Sequence, residues 1–189
     1  MSKMRTSGYA LAACVFALDQ LVTWIMLDPL ALREVGQIGL LSIFNFTYVE
    51  NHGVSLGMLT ADSQTERWAL VAVTAVIATG VAVWIGREKN RWDIVALGLV
   101  LGGALGNIVD RARFGYVVDF LDLHFGDFRP FMIFNVADAA ITAGVVLLLA
   151  PAITAGVVLL LARARLLRDK PAKPAQDTVG EAPATETLP

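Results

Sequence analysis

Four apolar segments, each long enough to cross a bilayer as a helix, constrain this chain more than any other feature. They run from about Ser7 to Leu27, Trp68 to Ile85, Trp92 to Val109 and Ile133 to Ala162. A helix needs roughly 17–25 apolar residues to span the hydrocarbon core. The hydrophobic fraction of 56% and the mean hydropathy of +0.62 exceed what a soluble domain of this size needs. Lysines and arginines orient the spans. Lys3 and Arg5 precede the first, Arg87, Lys89 and Arg91 fill the turn between the second and third, and Arg163, Arg165, Arg168 and Lys170 follow the fourth. All three groups fall on one side of a four-span topology, which puts both termini in the cytoplasm and turns loops 28–67 and 110–132 outward. The expected fold is an all-α membrane protein of four transmembrane helices with a small β-rich, outward-facing loop region. The four-helix domain covers residues 1–168, and the Pro-, Ala-, Thr- and Glu-rich tail 169–189 is expected to be disordered.

Composition also excludes classes of function. A net charge of −2 with no basic face argues against nucleic acid as a partner. One cysteine, Cys14, permits no intrachain disulfide, and two scattered histidines, His52 and His124, make a poor zinc site. No metal chemistry is expected. Leu11-Ala12-Ala13-Cys14 has the form of a lipobox, but the apolar stretch before it is short and hydrophobicity continues past it. Cys14 therefore reads as a small packing residue within the first helix.

Between the spans, Phe44, Phe46 and Tyr48 alternate with Asn45, Thr47 and Val49, the period of a strand with one aromatic face suited to lipid headgroups. Asn51-His52-Gly53 follows as a turn. Gly98, Gly102 and Gly106 form a stripe that lets helix backbones approach. In the fourth span the segment AITAGVVLLLA occurs twice, at 140–150 and 152–162, around Pro151. The twelve extra residues add about 18 Å of helix, so the span must tilt, kink or protrude.

Carboxylates near lipid are costly and so are informative. Asp19, inside the first span, reads equally well as a functional group or as a hydrogen-bond partner of a neighbouring helix. FGYVVDFLDLHFGDFRPFMIFNVADAAITAG (114–144) carries four aspartates. Asp119 has apolar neighbours and no local cap, while Asp138 lies near the outer end of the fourth helix, where Asn135 is a candidate N-cap. Asp110, Asp122 and Asp127 lie near arginines and are expected to be solvated or salt-bridged. Topology brings Asp119 and Asp138 to the same face, where two close carboxylates would share a proton and activate water. His124 as a base and Ser55 as a nucleophile are rivals with no spacing that links them.

GGALGNIVDR (102–111), FGYVVDFLD (114–122), FNVADAAITAG (134–144), the Asn51-His52-Gly53 turn and Asp19-Gln20 together resemble the lipoprotein signal peptidases, also called signal peptidase II. The resemblance extends from the first span to Gly144. It implies an aspartyl endopeptidase of the bacterial inner membrane with its active site at the periplasmic face. It further implies Asp119 and Asp138 as the catalytic dyad, with Asn51, Gly53, Asn107, Arg111, Asn135 and Asp19 binding substrate or supporting the pair. The implied substrate is a prolipoprotein whose lipobox cysteine carries diacylglycerol, cut just before that cysteine. Membrane lipids and globomycin-type inhibitors are implied partners, and no metal or organic cofactor is implied. Thr23 stands where the family usually has lysine, and Val54-Ser55-Leu56 where many members have Ala-Ala-Phe. Two other readings use the same aspartates: a small transporter, and a scaffold that binds acylated proteins without cutting them.

Overall fold

The computed structural model describes residues 3–54, 59–60, 64–126 and 128–168. Ser55, Leu56, Asp127 and the tail 169–189 lie outside the described residues. In chain order the elements are α1 (Lys3–Leu27), α2 (Leu32–Val35), β1 (Gln37–Leu41), β2 (Phe44–Asn51), β3 (Gly53–Val54), β4 (Leu59–Thr60), α3 (Gln64–Arg87), α4 (Arg91–Phe114), β5 (Val117–Leu123) and α5 (Val136–Arg168). Four of these helices, α1, α3, α4 and α5, are long and apolar enough to cross a membrane.

Two compact units make up the chain, Met1–Ala152 and Ile153–Pro189. In the first, α4 is the central helix, and small residues explain why. A methyl group on Gly102 would lie 2.6 Å from Ala12 O on α1, so only glycine permits this approach. The glycine stripe is thus the seam between α1 and α4. On another side of α4, α5 docks through Gly144, where an added methyl would lie 2.5 Å from Ala96 O. Ala12, Ala78, Ile85, Leu97 and Leu101 form the apolar core between α1, α3 and α4. Away from it, Leu18, Leu21, Val73, Val76, Ile77 and Val146 are exposed, as side chains that face lipid must be. Cys14 is also exposed, contrary to the packing role read from the sequence.

At one end of the helices, β1, β2 and β5 form an antiparallel sheet in the order β1-β2-β5. The aromatic alternation does make a strand, but its face turns inward. Phe46 and Tyr48 pack on a second core of Met26, Leu32, Tyr116, Val118 and Phe120, with Phe46 edge-on to Phe120 at 6.3 Å. The headgroup belt expected there is instead part of the cover over the helix ends.

The fourth helix starts at Val136 and not at Ile133. Phe134 is held extended against β5: Leu121 N–H donates to Phe134 O at 2.8 Å, and Phe134 N–H donates back to Leu121 O at 3.2 Å. That pairing draws the start of α5 against the strand carrying Asp119. Pro151 lies inside α5 without ending it. In the second unit the described residues are helical, and Ile153–Arg165 are exposed except for half-buried Gly156.

Candidate active site

The site begins with how α5 is started. Asp138 N–H donates to Asn135 Oδ1 at 2.8 Å, and Asn135 N–H donates to Asp138 Oδ2 at 3.4 Å, a reciprocal cap across the first turn. The N-cap expected of Asn135 is present. Asp138 also sits where the helix dipole favours negative charge. The next free amide, Ala137 N–H, donates to Asp19 Oδ1 at 2.9 Å, reaching across from α1. Asp19 is 1% exposed, and it passes α4 through the notch left by Gly106, whose missing methyl would lie 2.9 Å from Asp19 Cγ. Of the two readings of Asp19, the hydrogen-bonded neighbour is the one the geometry carries. A stripe that reads as packing alone therefore also admits a carboxylate.

Asp119 lies mid-strand in β5, opposite Val49 of β2, and is 2% exposed. Its partners come from far along the chain. Asn51 Nδ2 donates to Asp119 Oδ2 at 3.0 Å, and Asn135 Nδ2 donates to Asp119 Oδ1 at 3.1 Å. Asn135 Nδ2 also approaches Asn107 Oδ1 at 3.2 Å, and Asn107 Nδ2 donates to Asp138 Oδ1 at 2.8 Å. The two carboxylates are thus suspended from one pair of asparagines. Gly53 N–H donates to Asn51 Oδ1 at 3.3 Å, closing the turn read from Asn51-His52-Gly53 and leaving Nδ2 toward Asp119.

Burial pushes the Asp119 carboxyl up to about 7, and the negative charge of Asp138 adds to the rise. The hydrogen bond from Asn51 and the positive charge of Arg111 work in the opposite direction without cancelling it. Asp119 therefore keeps its proton close to neutral pH, and the two carboxylates influence one another as a coupled pair. Arg111 is half-buried, with Nη1 3.5 Å from Asn107 O and Nε buried without a hydrogen-bond partner. Beside Asp138 a cavity of about 380 Å³ opens, lined by Phe131, Met132, Phe134, Thr142 and Ala143. One carboxyl group thus looks into a space lined mostly by apolar side chains.

Of the other carboxylates, Asp110 departs from the sequence reading and Asp122 keeps to it. Asp110 is 1% exposed, and it accepts from Gln20 Nε2 at 2.9 Å and Val118 N at 3.3 Å, with no ion pair among the described residues. It ties α1, α4 and β5 together beneath the site. Asp122 is buried but does pair with Arg129 at 3.0 Å, which holds it below the usual carboxylate range against the effect of burial. His124 pairs with Asn45 at 2.8 Å, on the far stretch of the sheet, and the structure does not bring it to Asp119. Gln20, which bridges Asp19 Oδ2 at 3.2 Å and Asp110, carries a larger part than its place in an apolar helix suggested. The available signal was three polar side chains, Asp19, Gln20 and Asp110, in helices otherwise fit for lipid.

Comparison with known proteins agrees with this geometry. The family described as Signal peptidase (SPase) II matches residues 11–155, which takes in the first copy of AITAGVVLLLA and only the start of the second. The lipoprotein signal peptidase of Sphingopyxis alaskensis is 61% identical over 145 residues, covering 77% of this chain and 84% of that protein. Its counterpart in Rhizorhabdus wittichii is 57% identical over 148 residues, covering 78% and 86%. Among solved structures, a bacterial membrane enzyme determined by the in meso method superposes with a TM-score of 0.65 at 26% identity, covering 89% of this chain and 95% of that one. Four membrane-length helices, a site built from the motif residues, and relatives matched along most of their length make this chain a multi-pass membrane protein of the signal peptidase II family.

Proposed function

We propose that this chain removes the signal peptide from prolipoproteins whose lipobox cysteine carries diacylglycerol, and that Asp119 and Asp138 are its catalytic pair. The observation that carries the reading is the suspension of both carboxylates from Asn135 and Asn107, with Asp119 buried enough to hold a proton near neutral pH. Such a pair works with one proton between its two members. The ionised member takes a proton from water as the water oxygen bonds to the scissile carbonyl carbon, and the protonated member gives its proton to the carbonyl oxygen. Collapse of the tetrahedral adduct breaks the C–N bond: the departing cysteine nitrogen takes up the proton that came from water, and one hydroxyl of the adduct returns its proton to the second carboxylate as the new carbonyl forms. Both carboxyl groups return to their starting states.

The remaining residues support these steps. Asn107 and Asn135 fix the orientations of the two carboxylates, and Asn51 with Gly53 holds Asp119 from β2. Arg111 has donors left for substrate or for the developing oxyanion. Asp19 anchors the first turn of α5. The cavity beside Asp138 suits the apolar glyceryl and acyl portion of the substrate, and membrane lipids and globomycin-type inhibitors would reach the same space. Basic residues at the other helix ends favour cytoplasmic termini and a periplasmic active site in the bacterial inner membrane. The peptidase domain is residues 1–168, with 169–189 a tail outside it. A transporter would set its charges near the membrane midplane, whereas Asp119 lies on a strand outside the spans and Asp138 in the first turn of α5.

Incubating the purified chain with diacylglyceryl-modified and unmodified prolipoprotein, and weighing the products by mass spectrometry, tests the reaction. The expected products are an intact signal peptide and a protein beginning at the lipidated cysteine. Tight binding of the lipidated substrate with no cleavage would favour the scaffold reading.

A further inference from the structure

Asn51 is one of two side chains that hold Asp119, and its own position is set by an arrangement that reaches beyond the Asn51-His52-Gly53 turn. Strand alternation puts Asn51 and Val49 on the face of β2 that carries Asp119, and Glu50 and Tyr48 on the opposite face. On that opposite face Glu50 gathers three donors: Tyr48 OH at 2.9 Å, Arg33 Nη2 at 3.2 Å and His52 Nε2 at 3.4 Å. The Tyr48 and Tyr116 hydroxyls meet at 3.0 Å, and the His52 ring lies against Tyr116 with centroids 5.2 Å apart. Glu50, Tyr48, Tyr116 and His52 therefore close a ring, joining the end of β2 to the residue that leads into β5. Asn51 lies between two members of that ring in sequence, and Asp119 lies three residues beyond a third.

We propose that Glu50 and His52 are positioning residues for the reaction, gripping the strand on either side of Asn51 so that its amide stays aimed at Asp119. This rests on the reading of Asp119 as half of the catalytic pair. The energetics favour alignment over stability. The side chains of Arg33, Glu50 and His52 are 58%, 32% and 44% exposed, and ion pairs so placed contribute little to folding. Their effect is angular, because the ring ties the end of β2 to the residue ahead of β5, beside Asn51 and Val117, the last paired residues of these two strands. The groups facing Glu50 are Arg33 from α2, Tyr48 from β2, His52, and Tyr116 ahead of β5. Those facing Asp119 are Asp138, Arg111 and Asp110.

The test compares kcat, KM and pH–rate profiles on a diacylglyceryl-modified prolipoprotein for wild type, Glu50→Ala, Glu50→Gln and the double variant Tyr48→Phe, His52→Ala. In Glu50→Ala, kcat should fall about tenfold, the scale of one misdirected hydrogen bond to a charged group, with KM changed less than about twofold. The alkaline limb should move to higher pH, since the Asn51 amide favours ionised Asp119 and its loosening removes that help. Glu50→Gln keeps an oxygen for the Tyr48 hydroxyl and should recover most of kcat. The unfolding temperature should stay near that of wild type. Wild-type kcat with an unmoved limb in Glu50→Ala overturns the proposal. So does a loss of kcat with an unmoved limb that glutamine does not rescue, which is the mark of a merely structural role. Should Glu50→Ala not fold, the double variant replaces it: a lower kcat with the limb moved to higher pH supports the proposal, and an unmoved limb overturns it whatever the kcat. A wild-type chain that does not cleave would overturn the functional reading itself, and the clamp with it.

Discussion

Replacing Gly106 with alanine probes the crossing of three helices on which the site is built. In an ordinary helix interior the change favours folding by about 1 kcal/mol. At Gly106 the new methyl would fall on the Asp19 carboxylate, 2.9 Å from Cγ, and 3.3 Å from Ala137 Cβ. The carboxylate is not a free surface tip, since it is 1% exposed and bonded to Ala137 N. Displacing it loses a charge-assisted hydrogen bond, about 1.5–3 kcal/mol, and overpacks a tight crossing, about 1–3 kcal/mol. Set against the propensity gain, a net loss of about 1.5–5 kcal/mol is expected, accompanied by lower activity because the first turn of α5 carries Asp138. Gly80→Ala on α3 is the control: nothing lies within 4 Å of its would-be methyl, so stability should hold or rise slightly. Unfolding in detergent, measured alongside cleavage, reads both variants. Removing the carboxylate with Asp19→Ala should then make Gly106→Ala cheaper, a coupling of more than about 1 kcal/mol between contacting sites. If Gly106→Ala proved as stable as Gly80→Ala, or if the cycle showed no coupling, the argument from the notch would be wrong.

The pH dependence follows from Asp119. Its folded value is raised from 3.8 to about 7 by burial and by Asp138. The native chain therefore keeps a proton that the unfolded chain releases near pH 4. The associated stability is complete at low pH and falls by about 4 kcal/mol as pH rises through 7. The one-proton form of the pair disappears over the same upper range, so the cleavage rate should decline above about pH 7 in a kinetic titration. Asn135→Ala removes the α5 cap and the donor to Asp119 together. A loss of about 2–4 kcal/mol in unfolding is expected, with at least a tenfold fall in kcat. Deleting Pro151–Ala162 leaves one copy of AITAGVVLLLA and keeps Gly144 of α5 packed against Ala96 of α4, so cleavage should stay within about twofold of wild type in a kinetic assay.

The helices were legible because apolar runs of membrane length have few alternatives, and the small β region was legible in part through the alternation at 44–49. Helix starts and strand pairings depend on distant partners and were not. Ile133 and Phe134 look helical in an apolar run, yet Phe134 is held extended by Leu121, which no local pattern reveals. Asp119 and Asp138 could be picked out by their motifs, and Asn135 by its capping position. Their joint suspension from Asn107 and Asn135 needs α4, α5 and β5 in register, a tertiary fact. Asp110 misled for the same reason. Arginines flank it in sequence, but in the fold it takes its hydrogen bonds from Gln20 and the Val118 backbone. The headgroup role read for Phe46 and Tyr48 failed because the second core claims them.

The most direct test of the central claim is cleavage of a diacylglyceryl-modified prolipoprotein in detergent by wild type, Asp119→Asn and Asp138→Asn, each first shown to be folded. Asparagine keeps the shape and one acceptor oxygen but abolishes the titratable proton of the pair, and its NH2 can no longer accept the second amide donor that each carboxylate holds, which is why folding is checked first. The account predicts that wild type cuts before the lipidated cysteine and that both variants are inactive. Cleavage at the wild-type rate by either folded variant would contradict it.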